Sequence, residues 1–270
     1  MFSSNYTLYG DLSQRVMETL EPFSPDLEIY SIDEAFLNLS GFTARNLTEY
    51  GHLIRTTVKR WTGLPVSVGI AETKTLAKIA NRIAKRTPDT SGVFDLLACS
   101  DRDALLGRVP VEEVWGIGRN HTRVLNQHGI TTALQLREVD DPWIRKRMGI
   151  VGLRLVMELR GVSCLDLEQC PAPKQGLTCS RAFGKLISTL AEMEEAVSVY
   201  ASRVAEKLRR EQLAATVLTV FLTTNEFKDG PQYSNTLTLK LPVVTDSTAD
   251  LIGSALQGIR VIYRDGYHYK

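Results

Sequence analysis

Two adjacent carboxylates, Asp33 and Glu34, stand in the run Ser31-Ile32-Asp33-Glu34-Ala35-Phe36. On a regular strand neighbouring side chains point to opposite faces, but at a hairpin corner both can reach one point in space. Two close carboxylates raise each other's pKa unless a cation lies between them. A hard, oxygen-only pair of this kind suits magnesium bound together with substrate phosphates. Taken alone, an Asp-Glu pair is more often an ordinary surface turn.

A second candidate is basic. Lys74, Lys78, Arg82 and Lys85 fall within about 80° of one another on a wheel of 100° per residue, with Leu76, Ala80 and Ile83 on the other side. Such a stripe can take a triphosphate or a nucleic-acid backbone; it is also what the solvated face of an amphipathic helix looks like. The third candidate is Val114-Trp115-Gly116-Ile117-Gly118-Arg119, followed by Leu125, Gly129 and Ile130. Two short helices joined by Gly-x-Gly let the backbone approach closely and present free N–H groups at a positive helix end, where Arg119 and Arg123 add charge. This is the helix-hairpin-helix pattern of sequence-independent binding to DNA phosphates. The apolar and glycine spacing favours it over a plain glycine-capped αα-hairpin. His121 and His128 are too few ligands for a metal site. Trp61 and Trp115 read as packing residues rather than base-stacking platforms. The basic runs 145–147 and 203–210 suit either a DNA backbone or solvent. There is no P-loop, no G-x-G-x-x-G, and no nucleophile beside a base.

The elements that must position these groups follow from periodicity. Leu8, Leu12, Val16 and Leu20 predict a helix capped by Ser3, Ser4 or Asn5 and ended by Pro22 and Pro25. Residues 26–42 predict two antiparallel strands joined tightly near Ile32–Glu34. Leu47, Tyr50, Ile54, Val58 and Trp61 predict a second helix, Pro65–Ile70 a strand, and Thr73–Arg86 a third helix broken by Pro88–Gly92. Residues 95–165 read as short helices punctuated by Pro110, the Gly116–Gly118 turn, Gly129, Pro142, Gly149 and Gly161. A Pro-containing linker, 166–177, leads to a βαββα unit: strand Leu177–Leu186, a helix with Met193, Val197, Tyr200, Val204 and Leu208 on one face, strands Ala215–Thr224 and Ser234–Val244, and a helix with Leu251, Ala255, Ile259 and Ile262. The fold class is α+β. A split βαβ arrangement calls for a further strand before the first helix and another after the last, so both ends read as cut.

Composition bounds these readings. The 270 residues, 43% hydrophobic and 23% charged, resemble an average soluble protein. No run approaches 18 apolar residues, and the N-terminus has no signal-peptide pattern, so neither a membrane span nor secretion is expected. Cys99, Cys164, Cys170 and Cys179 contain no C-x-x-C pair, which favours the reducing cytoplasm over a disulfide framework or a zinc site. The net charge of +1 conceals −6 over residues 1–50 and +7 over the rest, which suits a polyanion binder with metal-binding carboxylates at one end, or chance on solvated faces.

In combination and in order, SIDEAF, VSVGIAETKTLAKIANRIAK (66–85), VWGIG with LNQHGI, and SRAFG (180–184) resemble the Y-family of translesion DNA polymerases, in its UmuC-type branch. FSSNYTLYGDLSQRVM (2–17) is similar to the same branch, and the likeness extends along the whole chain. The resemblance implies a partial palm over 1–94, with a split βαβ-like sheet and helices. It implies an all-α helix-hairpin-helix thumb over 95–166, a linker over 167–176, and over 177–270 a partial βαββα little finger lacking its last strand. It makes Asp33 and Glu34 catalytic ligands of Mg²⁺ in a two-metal nucleotidyl transfer and Lys85 a contact to the triphosphate of the incoming dNTP. It makes Gly116, Ile117, Gly118, Arg119, Arg123 and Arg181 contacts to primer-template DNA. Error-prone synthesis past damage in the SOS response, a UmuD-type subunit, a RecA filament and a sliding clamp are implied with it.

The family's first metal-binding aspartate, its fingers and its sugar-selecting aromatic have no counterpart here, and Asp26, Glu28 and Glu72 are the acids that could substitute. A non-catalytic duplex-binding module is the alternative. A nucleotidyl cyclase is a third reading, against which the helix-hairpin-helix and the second βαββα unit argue.

Overall fold

The computed structural model describes residues 5–42, 45–168 and 174–270. They form mixed α and β structure in two compact units, 1–171 and 172–270.

The first unit opens with α1 (Tyr6–Leu20), whose N-terminus is capped by the Asn5 side chain accepting from the Leu8 N–H; Ser3 and Ser4 lie outside the described residues. Only its C-terminal half packs: Met17 and Leu20 meet Tyr50, Ile54 and Val58 of α2 (Leu47–Thr62), while Leu8 is left 48% exposed. Trp61 is not a packing residue: no residue of α2 beyond Val58 joins that cluster, and the indole is 65% exposed.

Between these helices β1 (Leu27–Ile29) and β2 (Ala35–Leu37) pair antiparallel, Leu27 against Leu37 and Ile29 against Ala35. The N–H groups of Tyr30 and Ser31 both donate to the Glu34 carbonyl, at 3.1 and 3.0 Å, and turn the chain at the expected corner.

A second small sheet joins β3 (Val68–Ile70) and β4 (Val93–Asp95) in parallel through α3 (Lys74–Arg86). Strand β4 has no alternation that would mark it in the sequence; β3 supplies its ladder. The helix lies directly on β3 at Gly69, where a Cβ would stand 2.0 Å from the Asn81 backbone nitrogen. Only glycine permits that approach.

Short helices follow as expected: α4 (Arg102–Gly107), α5 (Arg119–Gln127), α6 (Ala133–Arg137) and α7 (Asp141–Leu159), the last interrupted at Gly149 where φ is +69°. Their core, with Leu106, Val111, Leu125, Leu136, Ile144 and Val156, is continuous with Leu76 and Ile79 of α3.

In the second unit α8 (Leu190–Arg210) and α9 (Thr248–Ile262) pack on a ribbon of β5 (Ala215–Thr223) and β6 (Ser234–Thr245). The strand expected over Leu177–Leu186 does not form. Apolar alternation makes a strand only where a backbone partner exists. Here the bridge from Ile187 to Tyr269 is the sole pairing at that edge among the described residues, and Tyr269 also bridges to Thr224.

Candidate active site and nucleic-acid interface

The hairpin corner brings the carboxylate pair out at the end of β1 and β2. Asp33 accepts from the Ser31 hydroxyl at 2.7 Å. The ammonium of Lys78 donates to both oxygens of Glu34, at 2.6 and 2.7 Å. Both groups line one cleft of about 910 Å³, together with Lys74, Asn81 and Lys85 of α3. Its lining also includes the apolar Val16, Leu37, Ile54 and Val68 and the acids Asp26, Glu72 and Asp166.

The basic stripe forms as expected, but most of it is already committed. Lys74 pairs with the buried Glu28 and donates to the Asp166 carbonyl at 2.6 Å. Arg82 pairs with Glu113, and Arg86 reaches the same oxygen at 3.1 Å. Burial first, and the neighbouring Arg86 second, pull the Arg82 pKa below its ordinary value; the group stays charged. Lys85 is exposed, and of the stripe's four cations it alone has no partner among the described residues.

None of the three substitute acids completes the corner. Glu28 is held by Lys74 and by the Glu168 N–H at 2.8 Å. Glu72 accepts from Arg102 at 2.5 Å. Asp26, bonded by Asn38 at 3.2 Å, stands at the opposite end of the hairpin, about 13 Å away at the strand rise of ~3.3 Å per residue. Among the described residues no three Asp, Glu, His or Cys side chains converge on one point. Asp33 and Glu34 have the hard oxygen donors that a cation shared with phosphate oxygens takes, and among the described residues no third acid converges on them.

Periodicity did not reveal what steadies the corner. Trp115 donates its indole N–H to the Tyr30 hydroxyl at 3.0 Å, and the two rings meet edge to face at 5.3 Å. Phe36 joins them, 5.7 Å from Tyr30 and 5.9 Å from Trp115. The Lys78 ammonium lies 5.1 Å from the Tyr30 ring and 5.8 Å from Trp115. Trp115 is thus a packing residue, and its packing ties the acidic corner to the glycine turn beside it. The aromatics flanking the acids in YSIDEAF were the available signal. Another missed group is Glu158. Fully buried, it accepts from the Thr75 N–H at 3.0 Å, in the first turn of α3, and from the Cys164 N–H at 2.7 Å. Its carbonyl accepts from Thr73, the cap of α3, at 2.9 Å.

At the glycine turn, Gly116 has φ +90° and Gly118 caps α5 without a side-chain bond. Ile117 points inward, 8% exposed, and its N–H donates to the Val114 carbonyl at 3.0 Å. Its side chain anchors the turn, and the residue still borders the outer surface that Gly118 and Arg119 line. Gly118, Arg119, Thr122, Arg123 and Asn126 line a shallow outer surface with Glu112. The first N–H groups of α5 have no acceptor within the helix and face outward with its positive end. His121 and His128 are not joined in a metal site; His128 packs edge-on against Trp143 at 5.1 Å. In the second unit Arg181 is exposed and, among the described residues, bonds the carbonyl of Ser180 at 3.1 Å.

Residues 1–82 match the model of the impB/mucB/samB family, and residues 174–270 match that of the impB/mucB/samB family C-terminal domain. The chain is 46% identical over 272 residues to Protein UmuC of Salmonella typhimurium, covering all of this chain and 64% of that protein. It is 46% identical over 274 residues to Protein ImpB of Salmonella typhimurium, with the same coverage. DNA polymerase IV of Treponema denticola is 28% identical over 225 residues, 81% of this chain and 55% of that one. Among solved structures, a Y-family DNA polymerase chimera of Dbh and Dpo4 aligns over 98% of this chain and 74% of its own, with a TM-score of 0.68 at 20% identity. The insertion ternary complex of Dbh DNA polymerase aligns with the same coverage and a TM-score of 0.54. The fold is that of these polymerases, and the chain spans 64% of the length of its UmuC and ImpB relatives.

Proposed function

Because this chain belongs to the impB/mucB/samB family, the UmuC-type branch of the Y-family polymerases, we propose that it is the part of a template-directed DNA polymerase that carries nucleotidyl transfer opposite damaged bases. One observation carries the reading: Asp33, Glu34 and Lys85, which has no partner among the described residues, line a single cleft. Two carboxylates and a free ammonium are what a metal-bound triphosphate needs from a protein.

In this reading Asp33 and Glu34 hold Mg²⁺, which when bound neutralises phosphate charge and lowers the pKa of the attacking 3′-hydroxyl. Lys85 draws the triphosphate to the cleft. The Gly116–Gly118 turn, with Arg119 and Arg123, takes the backbone phosphates of the primer-template through backbone N–H groups and charge. Arg181 adds a contact from the second unit. The two-metal form of the reaction needs a further acidic ligand beyond the described residues. Error-prone synthesis in the SOS response, work in the cytoplasm, and association with a UmuD-type subunit, a RecA filament and a sliding clamp complete the reading.

The test is primer extension by the 270-residue chain with Mg²⁺ and all four dNTPs, on intact and abasic templates, beside Asp33→Ala. Extension is expected to vanish in the variant while duplex binding is retained; extension by both chains would sink the assignment of the corner. A non-catalytic duplex-binding module is favoured by one observation, that the corner has only two acids and one is paired with Lys78. It predicts salt-sensitive binding and no extension by either chain.

A further inference from the structure

We propose that Lys78 is the resident counter-ion of Glu34, a positioning residue that must leave the carboxylate before a divalent cation can take it. The inference rests on the polymerase reading and adds an exchange of cations that the reading does not contain.

The geometry that supports it is specific. The Lys78 ammonium is shared between both Glu34 oxygens, at 2.6 and 2.7 Å. A hard divalent cation needs the same lone pairs. Two positive charges on one carboxylate repel, so occupancy by one weakens binding of the other.

The neighbouring pair on the stripe is built differently. Lys74 and Glu28 have side chains only 11% and 7% exposed, and both are bonded to backbone as well. The side chains of Lys78 and Glu34 are 22% and 40% exposed and, among the described residues, have each other as their hydrogen-bond partners. The first pair is a fixed part of the unit, because separating it would strand a buried charge. The second is weak enough to be exchanged.

The ammonium also has somewhere to go. It sits against the Tyr30 and Trp115 rings, which favour a cation on their faces whether or not the carboxylate is there. The same cleft wall carries Lys85. A triphosphate arriving beside Lys85 therefore meets a second ammonium, on a flexible four-carbon stem, at the moment Glu34 turns to the metal. Glu34 is kept neutralised while the cleft is empty, and the released charge reinforces Lys85 when it fills.

The experiment is titration of the chain with Mn²⁺, followed by the loss of free-ion EPR signal, without nucleotide or DNA. Lys78→Met is expected to bind the ion about two- to fivefold more tightly than the wild type, the strength of a half-exposed ion pair. Lys78→Arg restores wild-type affinity, and Lys78→Met combined with Glu34→Gln loses the gain. A general loosening of the fold cannot tighten a metal site, so the direction of the change separates competition from damage. If Asp33→Ala weakens Mn²⁺ binding but Lys78→Met does not tighten it, the exchange is wrong while the metal corner stands. If Asp33→Ala and Glu34→Gln leave Mn²⁺ binding unchanged in every background, the corner holds no ion and the exchange and the metal assignment fall together.

Discussion

At the scale of single residues, the site is defined as much by which charges are neutralised as by which are present. Four cations share the stripe on α3, yet Glu28, Glu34 and Glu113 claim three of them and leave Lys85. The same logic makes Glu158 the residue on which the placement of α3 depends. Its two oxygens take the Thr75 and Cys164 N–H groups in an environment with no water contact. Glu158→Ala leaves the buried Thr75 N–H and the half-buried Cys164 N–H without their acceptor, at about 1–3 kcal/mol for a buried donor. A loss of about 3 kcal/mol in unfolding free energy is expected, measured by urea denaturation. Glu158→Gln keeps one acceptor oxygen and places an NH₂ against the other N–H, so it should recover only part of that loss. A loss below about 0.5 kcal/mol for Glu158→Ala, within the range of ordinary surface changes, would show that the carboxylate has no such role.

At the scale of elements, a helix can present charges to a cleft only if its other face is seated. α3 is seated on the backbone of β3 at Gly69, closer than any side chain allows, and Asn81 donates to the Ser67 carbonyl at 2.7 Å beside that contact. Gly69→Ala should push the helix off the strand and carry Lys78 and Lys85 with it. Overpacking of this kind typically costs about 1–3 kcal/mol. The expected result is a lowered melting temperature, together with loss of the dNTP binding proposed for the cleft, both read by calorimetry of the variant. A variant that melts like the wild type would mean that the strand, not the helix, yields. Trp115 shows the complementary case, where a loop residue acts as structure: its bond and ring contacts to Tyr30 hold the acidic corner beside the glycine turn.

At the scale of the whole molecule, the two units have separate cores and should respond separately to solvent. The core of the second unit contains Tyr269, fully buried and bonded through its hydroxyl to the Arg264 carbonyl at 2.8 Å. Burial raises the pKa of Tyr269, and burial followed by the neighbouring Asp265 raises that of Tyr263. A tyrosine raised in the folded state is neutral there when the unfolded chain has already ionised. Its stabilisation is complete below the ordinary value of about 10 and is lost as pH climbs towards the folded value. The second unit should therefore melt at falling temperature above pH 10, with Tyr269→Phe blunting the slope, followed by tyrosinate absorbance and circular dichroism. A pH-independent melt between 9 and about 11.5 would contradict the burial argument.

Local order was legible wherever neighbours in sequence are neighbours in space. The helix periods, the Asn5 cap, the start of the third helix at Thr73, the hairpin corner that carries Asp33 and Glu34, and the Gly116–Gly118 turn all depend on contacts within a few residues. So did the grouping of Lys74, Lys78, Arg82 and Lys85, because a helix places every such residue by its own geometry. Partners remote in the chain were not legible. β4 exists because β3 is beside it, and Leu177–Leu186 is not a strand because nothing pairs with it among the described residues. Ile117 turned inward and Trp61 outward according to what other elements cover. Above all, which carboxylate meets which cation is set by the packing of α3 against the hairpin and the following helices. The motif named the charged groups; only their arrangement in space left Lys85 open and closed Lys78 onto Glu34, because Coulomb energy depends on distance and burial rather than on order along a chain.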